Sequence, residues 1–348
     1  MSEYLFRGKN ICVTGGLGSI GSEIVRGLLK FNPNKVVVID NRETEMFYSK
    51  MYSPSQIIKY EVADVKDYDS IEHVFRNIDI VFHCAAMKHV PICEDVPLEA
   101  IATNVIGTKN VIDACIKNNV DKMILISTDK AANPINVMGA TKLLAEKTVV
   151  AIATKKRDIK TKFGIVRFGN VLYSRGSVLE IWNRQLLEGN PINLTDGEMT
   201  RFFMSIPECV NLIFTCTEFA EDGELFILKM PSVKMEDFAK AYLQIKGFPE
   251  DRIKITGIRK GEKMHEQLLV GDGSSKILEN EKFFINFPQH VGDERVEEVK
   301  KRGFIESQKS LFSSENNEFL LDTQRIKDIL VREKSLLEKM PSGLKFNN

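Results

Sequence analysis

Thr128, Asp129 and Lys130 follow one another directly, and a second lysine, Lys142, closes the same stretch. Together they make a proton-transfer set. A carboxylate can accept and return a proton, and an amine can remove one from carbon if it is neutral when it acts. Lys130 is therefore expected to sit where burial or a neighbouring cation lowers its pKa. Asp129 is the candidate acid. Thr128 can hold a substrate oxygen, although a hydroxyl is too weak a base to work alone. Lys142 adds positive field and is expected to stay charged. The plainer reading makes Thr128 and Asp129 a helix cap, which leaves the two lysines unexplained.

Such groups must be carried on an element that reaches the ligand. Met123-Ile-Leu-Ile126 reads as a buried strand running into Ser127 and Thr128, and ligands of open α/β sheets bind at the carboxyl ends of parallel strands. Asn10-Ile-Cys-Val-Thr14 reads as an earlier strand. It runs into Gly15-Gly-Leu-Gly-Ser-Ile-Gly21, and a helical pattern follows with Ile20, Ile24, Leu28 and Leu29 on one face. Gly16-x-Gly18-x-x-Gly21 permits a tight turn, brings amides to a pyrophosphate and lets the helix pack closely. A glycine loop alone is a weak signal. Here Lys35-Val-Val-Val-Ile39 supplies the next strand, and Asp40 ends it about 20 residues beyond the glycines, where a carboxylate holds the adenosine ribose.

The expectation is a dinucleotide site, with Thr14, Gly15, Gly18, Ser19 and Ile20 at the pyrophosphate. Asp64 and Val65, after the strand-like Ile57-Ile-Lys-Tyr-Glu-Val62, suit an adenine edge. Asp40 favours NAD, since a carboxylate repels a 2′-phosphate. Arg42 leaves NADP open, although a solvated loop charge is its simpler reading. A further strand, Ile78-Asp-Ile-Val-Phe-His83, ends in Cys84-Ala-Ala-Met-Lys-His-Val-Pro91. Small Ala85 and Ala86 let a cofactor backbone pass. Lys88 and His89 either reach a sugar phosphate or are solvated, and Asn104 is as readily structural as catalytic.

The β-α alternation through residue 126 implies an α/β fold, a doubly wound parallel Rossmann sheet with a smaller substrate-binding domain. Residues 1–172 form the dinucleotide-binding domain, with 204–232 returning to it. Residues 173–203 and 233–290 form the smaller domain, and 291–348 a carboxyl-terminal tail. From about Phe283 the chain is charged and poorly periodic, and reads as packing without chemistry.

At 348 residues the chain can bury a full core. Lys+Arg and Asp+Glu are equal at 48 each, so global charge argues for neither nucleic acid nor membrane. The six cysteines are scattered without a C-x-x-C pair or a histidine cluster, which favours reduced thiols in a cytoplasmic protein and no metal. The amino terminus shows no signal-peptide pattern. No apolar run approaches the roughly 20 residues needed to span a bilayer.

The chain resembles the extended short-chain dehydrogenase/reductases, and within them the UDP-N-acetylglucosamine 4,6-dehydratases of polysaccharide and nonulosonic-acid biosynthesis. The likeness covers roughly residues 8 to 325. It rests on Thr14-Gly-Gly-Leu-Gly-Ser-Ile-Gly, Ala85-Ala-Met-Lys-His-Val-Pro, Ser127-Thr-Asp-Lys-Ala, Arg167-Phe-Gly-Asn-Val, Met199-Thr-Arg-Phe-Phe-Met and Gly257-Ile-Arg-Lys-Gly-Glu-Lys-Met-His-Glu. The superfamily's Tyr-x-x-x-Lys falls on Met138-Gly-Ala-Thr-Lys142, so the lysine is kept and the usual base is not. The resemblance links methionine there to retention of configuration at C5. The family's proline after Arg259 is here Lys260.

The resemblance implies UDP-N-acetylglucosamine as substrate and a homo-oligomer. It places Asn170 at the sugar diphosphate and Lys142 at the nicotinamide ribose. Lys130 is then the C5 base and Asp129 the acid for O6. Ser177, in Ser174-Arg-Gly-Ser-Val178, offers amides at a helix start for phosphate. Arg201 and Arg259 would converge on the diphosphate, because guanidinium forks match phosphate oxygens; each alone reads as a surface charge. Glu262 suits the uridine ribose. Lys88 would reach the sugar phosphate. Two other classes fit less well: a C4 epimerase does not need an acid and base beside the threonine, and a cofactor-sensing protein has no reason to keep Asp129, Lys130 and Lys142.

Overall fold

The computed structural model describes residues 3–52, 55–155, 159–271, 273–315 and 318–338. Six strands enter the main sheet in turn: β1 (Asn10–Thr14), β2 (Lys35–Asp40), β3 (Ile58–Val62), β4 (Ile80–His83), β5 (Lys122–Thr128) and β6 (Lys162–Phe168). With Asp222–Leu228 they run parallel, in the order Asp222–Leu228, β6, β5, β4, β1, β2, β3. Their side chains alternate between the two faces. Val13, Val38 and Ile124 join one apolar cluster. Cys12, Val37, Met123 and Leu125 join the other. Burial on both faces explains why these strands read as continuous apolar runs.

The chain crosses from β3 back over the sheet to β4, which pairs with β1 on the side opposite β2. That reversal opens a crevice at the carboxyl ends of β1 and β4, where ligands of such sheets bind.

After β6 the chain leaves this sheet. Asn170–Val171, Thr200–Met204 and Ser232–Lys234 form a three-stranded sheet. The helices Val178–Leu187 and Met235–Lys246 pack beside it around Trp182, Phe238 and Tyr242. The described residues contain no helix long and apolar enough to cross a membrane.

Residues 277–286, expected in the smaller domain, and residues 305–306 of the expected carboxyl-terminal tail all enter the main sheet. Phe283–Asn286 pairs antiparallel with Asp222–Leu228, and Ile277–Glu279 and Ile305–Glu306 extend the sheet further. Phe283, Phe284 and Ile285 are all buried; a strand covered on both faces shows no polar alternation, so periodicity missed it. The helix Thr323–Glu338 places Ile326 and Leu330 in the core around Trp182. Residues 339–348 of the expected tail lie outside the described residues.

Candidate functional site

The crevice depends on a glycine. Gly15 follows β1 with φ +63°, and a Cβ there would lie 2.7 Å from the backbone of Ala85. Only glycine accepts both the left-handed backbone and that approach. No side chain caps the helix Ser19–Leu29 at Gly18, so its first amides are left for an anion. Thr14, expected at the pyrophosphate, is fully buried instead. Its hydroxyl meets His83 Nδ1 at 2.7 Å and accepts from the Ala85 amide at 3.4 Å. It therefore ties the ends of β1 and β4 rather than meeting a ligand. Burial pushes His83 down to about 3, so the imidazole is neutral in this role.

A cleft of about 900 Å³ runs from these loops to the end of β5. Gly15, Gly18, Ser19, Ile20, Asp40, Arg42, Asp64, Val65, Ala85 and Ala86 line its first half. Arg42 is not a solvated charge. Its Nε and Nη2 donate to the two Asp40 oxygens at 3.0 and 3.1 Å, and the Leu17 amide donates to the same carboxylate at 3.1 Å. Arg175 also lines this cleft, and its amide donates to Ser19 Oγ at 3.0 Å. Sequence reasoning took that loop for its amides and overlooked this guanidinium.

Thr128, Lys130, Met138, Lys142, Lys88, Asn170 and Ser177 line the second half. Three local features set the chemistry-bearing groups. Thr128 ends β5, and its Oγ1 accepts the Lys130 amide at 3.4 Å at the start of the short turn Asp129–Ala131; the cap and the chemistry coincide. Asn136 caps the helix Val137–Ala153 through the Gly139 amide at 2.8 Å. A Cβ at Gly139 would lie 2.3 Å from the Lys130 carbonyl oxygen, so glycine lets that helix press against the Lys130 backbone. Asn104, in the π-helical turn Ala102–Ile106, bonds both backbone groups of Met87 and the Thr141 hydroxyl. It is a brace.

Asp129 is fully buried behind Thr128. Thr128 Oγ1 donates to Asp129 Oδ1 at 2.8 Å, and Lys130 Nζ reaches the same oxygen at 3.0 Å. Lys130 Nζ also lies 3.4 Å from Glu266 Oε1 and 3.5 Å from Asn170 Oδ1. The expectation of a lowered Lys130 is overturned. Burial alone pushes the ammonium down, but the carboxylates of Asp129 and Glu266 outweigh it and hold it above the ordinary lysine value.

Lys142 does the reverse. Its Nζ donates to the Ile126 carbonyl at 2.7 Å, and burial lowers it to about 8, against an opposing pull from Glu146. Glu146 is itself held by Arg167, with Nε to Oε1 at 3.0 Å, and by the Ser127 hydroxyl. Met138 is buried against Cys93 and Ala100.

The remaining substrate candidates divide. Ser177 lines the cleft, and its Oγ is buried without a hydrogen-bond partner. Lys88 Nζ donates to the Arg175 carbonyl. Arg201 and Glu262 meet at 3.5 Å, but neither lines the cleft, nor does Arg259. Arg201 is buried and spends its guanidinium on the carbonyls of Thr200, Lys263 and Met264. It shapes the 262–264 turn. Arg259 is exposed, and its amide donates to Glu262 Oε2 at 3.3 Å. Glu266 was overlooked, although it closes the quoted Lys263-Met-His-Glu266 run as an acid leading into an apolar strand.

A family model described as polysaccharide biosynthesis protein matches residues 11–287. An uncharacterised membrane protein of Methanocaldococcus jannaschii is 44% identical over 331 residues, which are 93% of this chain and 96% of that protein. The UDP-N-acetylglucosamine 4,6-dehydratase (inverting) of Campylobacter jejuni is 37% identical over 333 residues, 94% of this chain and 98% of that protein. Among solved structures, the X-ray structure of Pen from Bacillus thuringiensis aligns with a TM-score of 0.86 at 33% identity, covering 94% of this chain and 99% of that one.

Proposed function

Because the chain belongs to the polysaccharide biosynthesis protein family, we propose that it is a nucleotide-sugar 4,6-dehydratase acting on UDP-N-acetylglucosamine. The product is a UDP-4-keto-6-deoxy-N-acetylhexosamine. One observation carries this reading: a hydroxyl, a carboxylate and an amine joined at 2.8 and 3.0 Å beside the cleft. Hydride transfer at C4 alone needs a base for the O4 proton but no second base for carbon. The name of the C. jejuni relative supports the same substrate and reaction.

The residues fit a nicotinamide dinucleotide. The Gly15 approach to Ala85 leaves no room for a side chain, the helix start at Ser19 is uncapped, and Asp40 lines the cleft where a ribose carboxylate belongs. We assign NAD on Asp40; the Arg42 fork, which neutralises that carboxylate, keeps NADP acceptable. When bound, the nicotinamide supplies the acceptor for the C4 hydride and returns that hydride to C6.

The protein's own groups move the protons. Thr128 holds O4 and passes its proton to Asp129, whose Oδ1 is reached from the cleft through the Thr128 hydroxyl and the Lys130 ammonium. The C4 ketone acidifies the C5 proton, and Lys130 removes it. Asp129 returns its proton to O6, which leaves as water. Lys130 then gives its proton back to C5. Return from the same amine to the same face retains configuration at C5. The relative's name specifies inversion, so retention rests on Met138 and on this single base.

Incubation with UDP-N-acetylglucosamine, read by mass spectrometry and proton NMR, tests the reading. Loss of one water with the C5 configuration kept is expected. An isomer of unchanged mass would mean an epimerase, and an inverted C5 would remove Lys130 as sole proton donor.

A further inference from the structure

Lys130 is held as an ammonium between two carboxylates, yet a base at C5 must be neutral. On the reading above, its proton needs a destination. Asp129 cannot take it, because it receives the O4 proton and must deliver it to O6. Glu266 is the remaining carboxylate. It is 3% exposed, and its Oε2 has no hydrogen-bond partner. Oε1 lies 3.4 Å from Lys130 Nζ. Lys130 lines the cleft, whereas Glu266 does not, so it can reach substrate only through the lysine.

Glu266 is also fixed in place. Its amide donates to Ser314 Oγ at 2.9 Å, and its carbonyl accepts the Ser314 amide at 2.9 Å. The charged groups facing it are Lys130 and, at 3.8 Å, Lys263. Asp129 and Arg201 act on Lys130, and Asp129 and Arg167 act on Lys263. Burial pushes Lys263 down, against the pull of Glu266 and Asp129.

We propose that Glu266 is a positioning residue that stores the Lys130 proton during catalysis. At rest the pair is ammonium and carboxylate. When substrate covers Lys130 and excludes water, desolvation penalises the separated charges more than the neutral pair. One proton then passes from Lys130 Nζ to Glu266, leaving a free amine. The amine takes the C5 proton and later returns it to C5, and Glu266 hands its own proton back to Nζ when product leaves. Each proton ends where it began. No proton need exchange with solvent before C5–H is broken.

Exchange of the C5 proton into deuterated water, measured from pH 6 to 9 with UDP-N-acetylglucosamine, tests this beside the transient reduction of the nicotinamide. Wild type should exchange with little pH dependence below the limb that Lys142, lowered to about 8, imposes on C4 oxidation. Glu266→Gln keeps the shape but cannot take the proton, so Lys130 must deprotonate to solvent. Exchange near neutral pH should fall about 100-fold, in the range of a lost general base, and should rise about tenfold per pH unit. The nicotinamide transient should persist, which also reports a folded site. Glu266→Asp should restore the flat profile at a reduced rate.

Unchanged rate and profile in Glu266→Gln would overturn the proposal. So would a uniform loss of exchange and transient with the profile still flat, which marks a structural role. Lys130→Met separates the two layers. If it abolishes exchange while Glu266→Gln does not alter it, the base stands and the proton store falls. Exchange that survives in Lys130→Met removes both.

Discussion

Lys130 and Lys142 are both set beside the end of β5, and their surroundings drive them in opposite directions. Lys130 has carboxylates at 3.0 and 3.4 Å and is held above the ordinary lysine value. Lys142 has a carbonyl at 2.7 Å and is lowered by burial to about 8. A carbonyl accepts a hydrogen bond without bringing a full charge, so it offsets desolvation only in part. The lesson is that burial pushes any lysine down but does not settle the outcome alone. Opposite charges within reach decide whether a buried lysine is a poised amine or a locked ammonium.

The largest effect should come from breaking the locked side. Lys130→Met removes the C5 base and leaves the groups at O4 in place. C5 exchange should fall by about 1000-fold or more, the upper range for general-base removal, while transient nicotinamide reduction survives. Loss of both together would mean that Lys130 serves C4 oxidation as well, and the division of labour between the lysines would be wrong.

Asp129→Asn comes next. The amide preserves shape but cannot receive the O4 proton that Thr128 would pass over 2.8 Å. Nicotinamide reduction should fall about 100-fold. A transient of full size would show that Asp129 serves elimination only. The O4 proton would then leave through Lys142, which burial lowers to about 8.

Lys142 itself gives a smaller, pH-dependent effect. Its value in the folded protein is about 8, so it is charged below that pH and neutral above it. If its positive field supports C4 oxidation, the rate should decline as pH rises through about 8, approaching tenfold per unit. Lys142→Met should be slower throughout and lack that limb. A rate that climbs through the same window would instead mark neutral Lys142 as the O4 proton acceptor, and the contrast between the lysines would sharpen into two bases.

What the sequence disclosed follows the same physics. The glycine loop, Asp40 and the end of β5 were legible because each is a local pattern, a turn or a strand terminus, with its function beside it in sequence. Glu266 was not legible as Lys130's partner, because the two meet across the fold and nothing near residue 130 announces a second carboxylate. Arg201 failed for the complementary reason. A residue type suited to phosphate says nothing of the carbonyls of Thr200, Lys263 and Met264 that occupy its fork. The edge strand Phe283–Asn286 was lost because burial on both faces erased its period.

Met138 should matter least, and its small effect tests the contrast from the other end. It stands one turn before Lys142 on the helix Val137–Ala153, in the position where a titratable tyrosine would otherwise work. Its side chain is 4% exposed and packs on Cys93 and Ala100. A thioether carries no titratable proton, so any contribution must come through packing of the helix Val137–Ala153 that also carries Lys142. Leucine conserves volume, and such swaps cost under about 1.5 kcal/mol. Met138→Leu should therefore keep transient reduction within a few-fold of wild type and leave the limb near pH 8 where it is. Met138→Ala opens a cavity against Cys93 and Ala100 and should cost more stability, about 2 to 5 kcal/mol, without removing the chemistry. Loss of reduction in the leucine variant at unchanged melting temperature would implicate the sulfur directly. The two lysines and Asp129 would then no longer suffice to move the O4 proton.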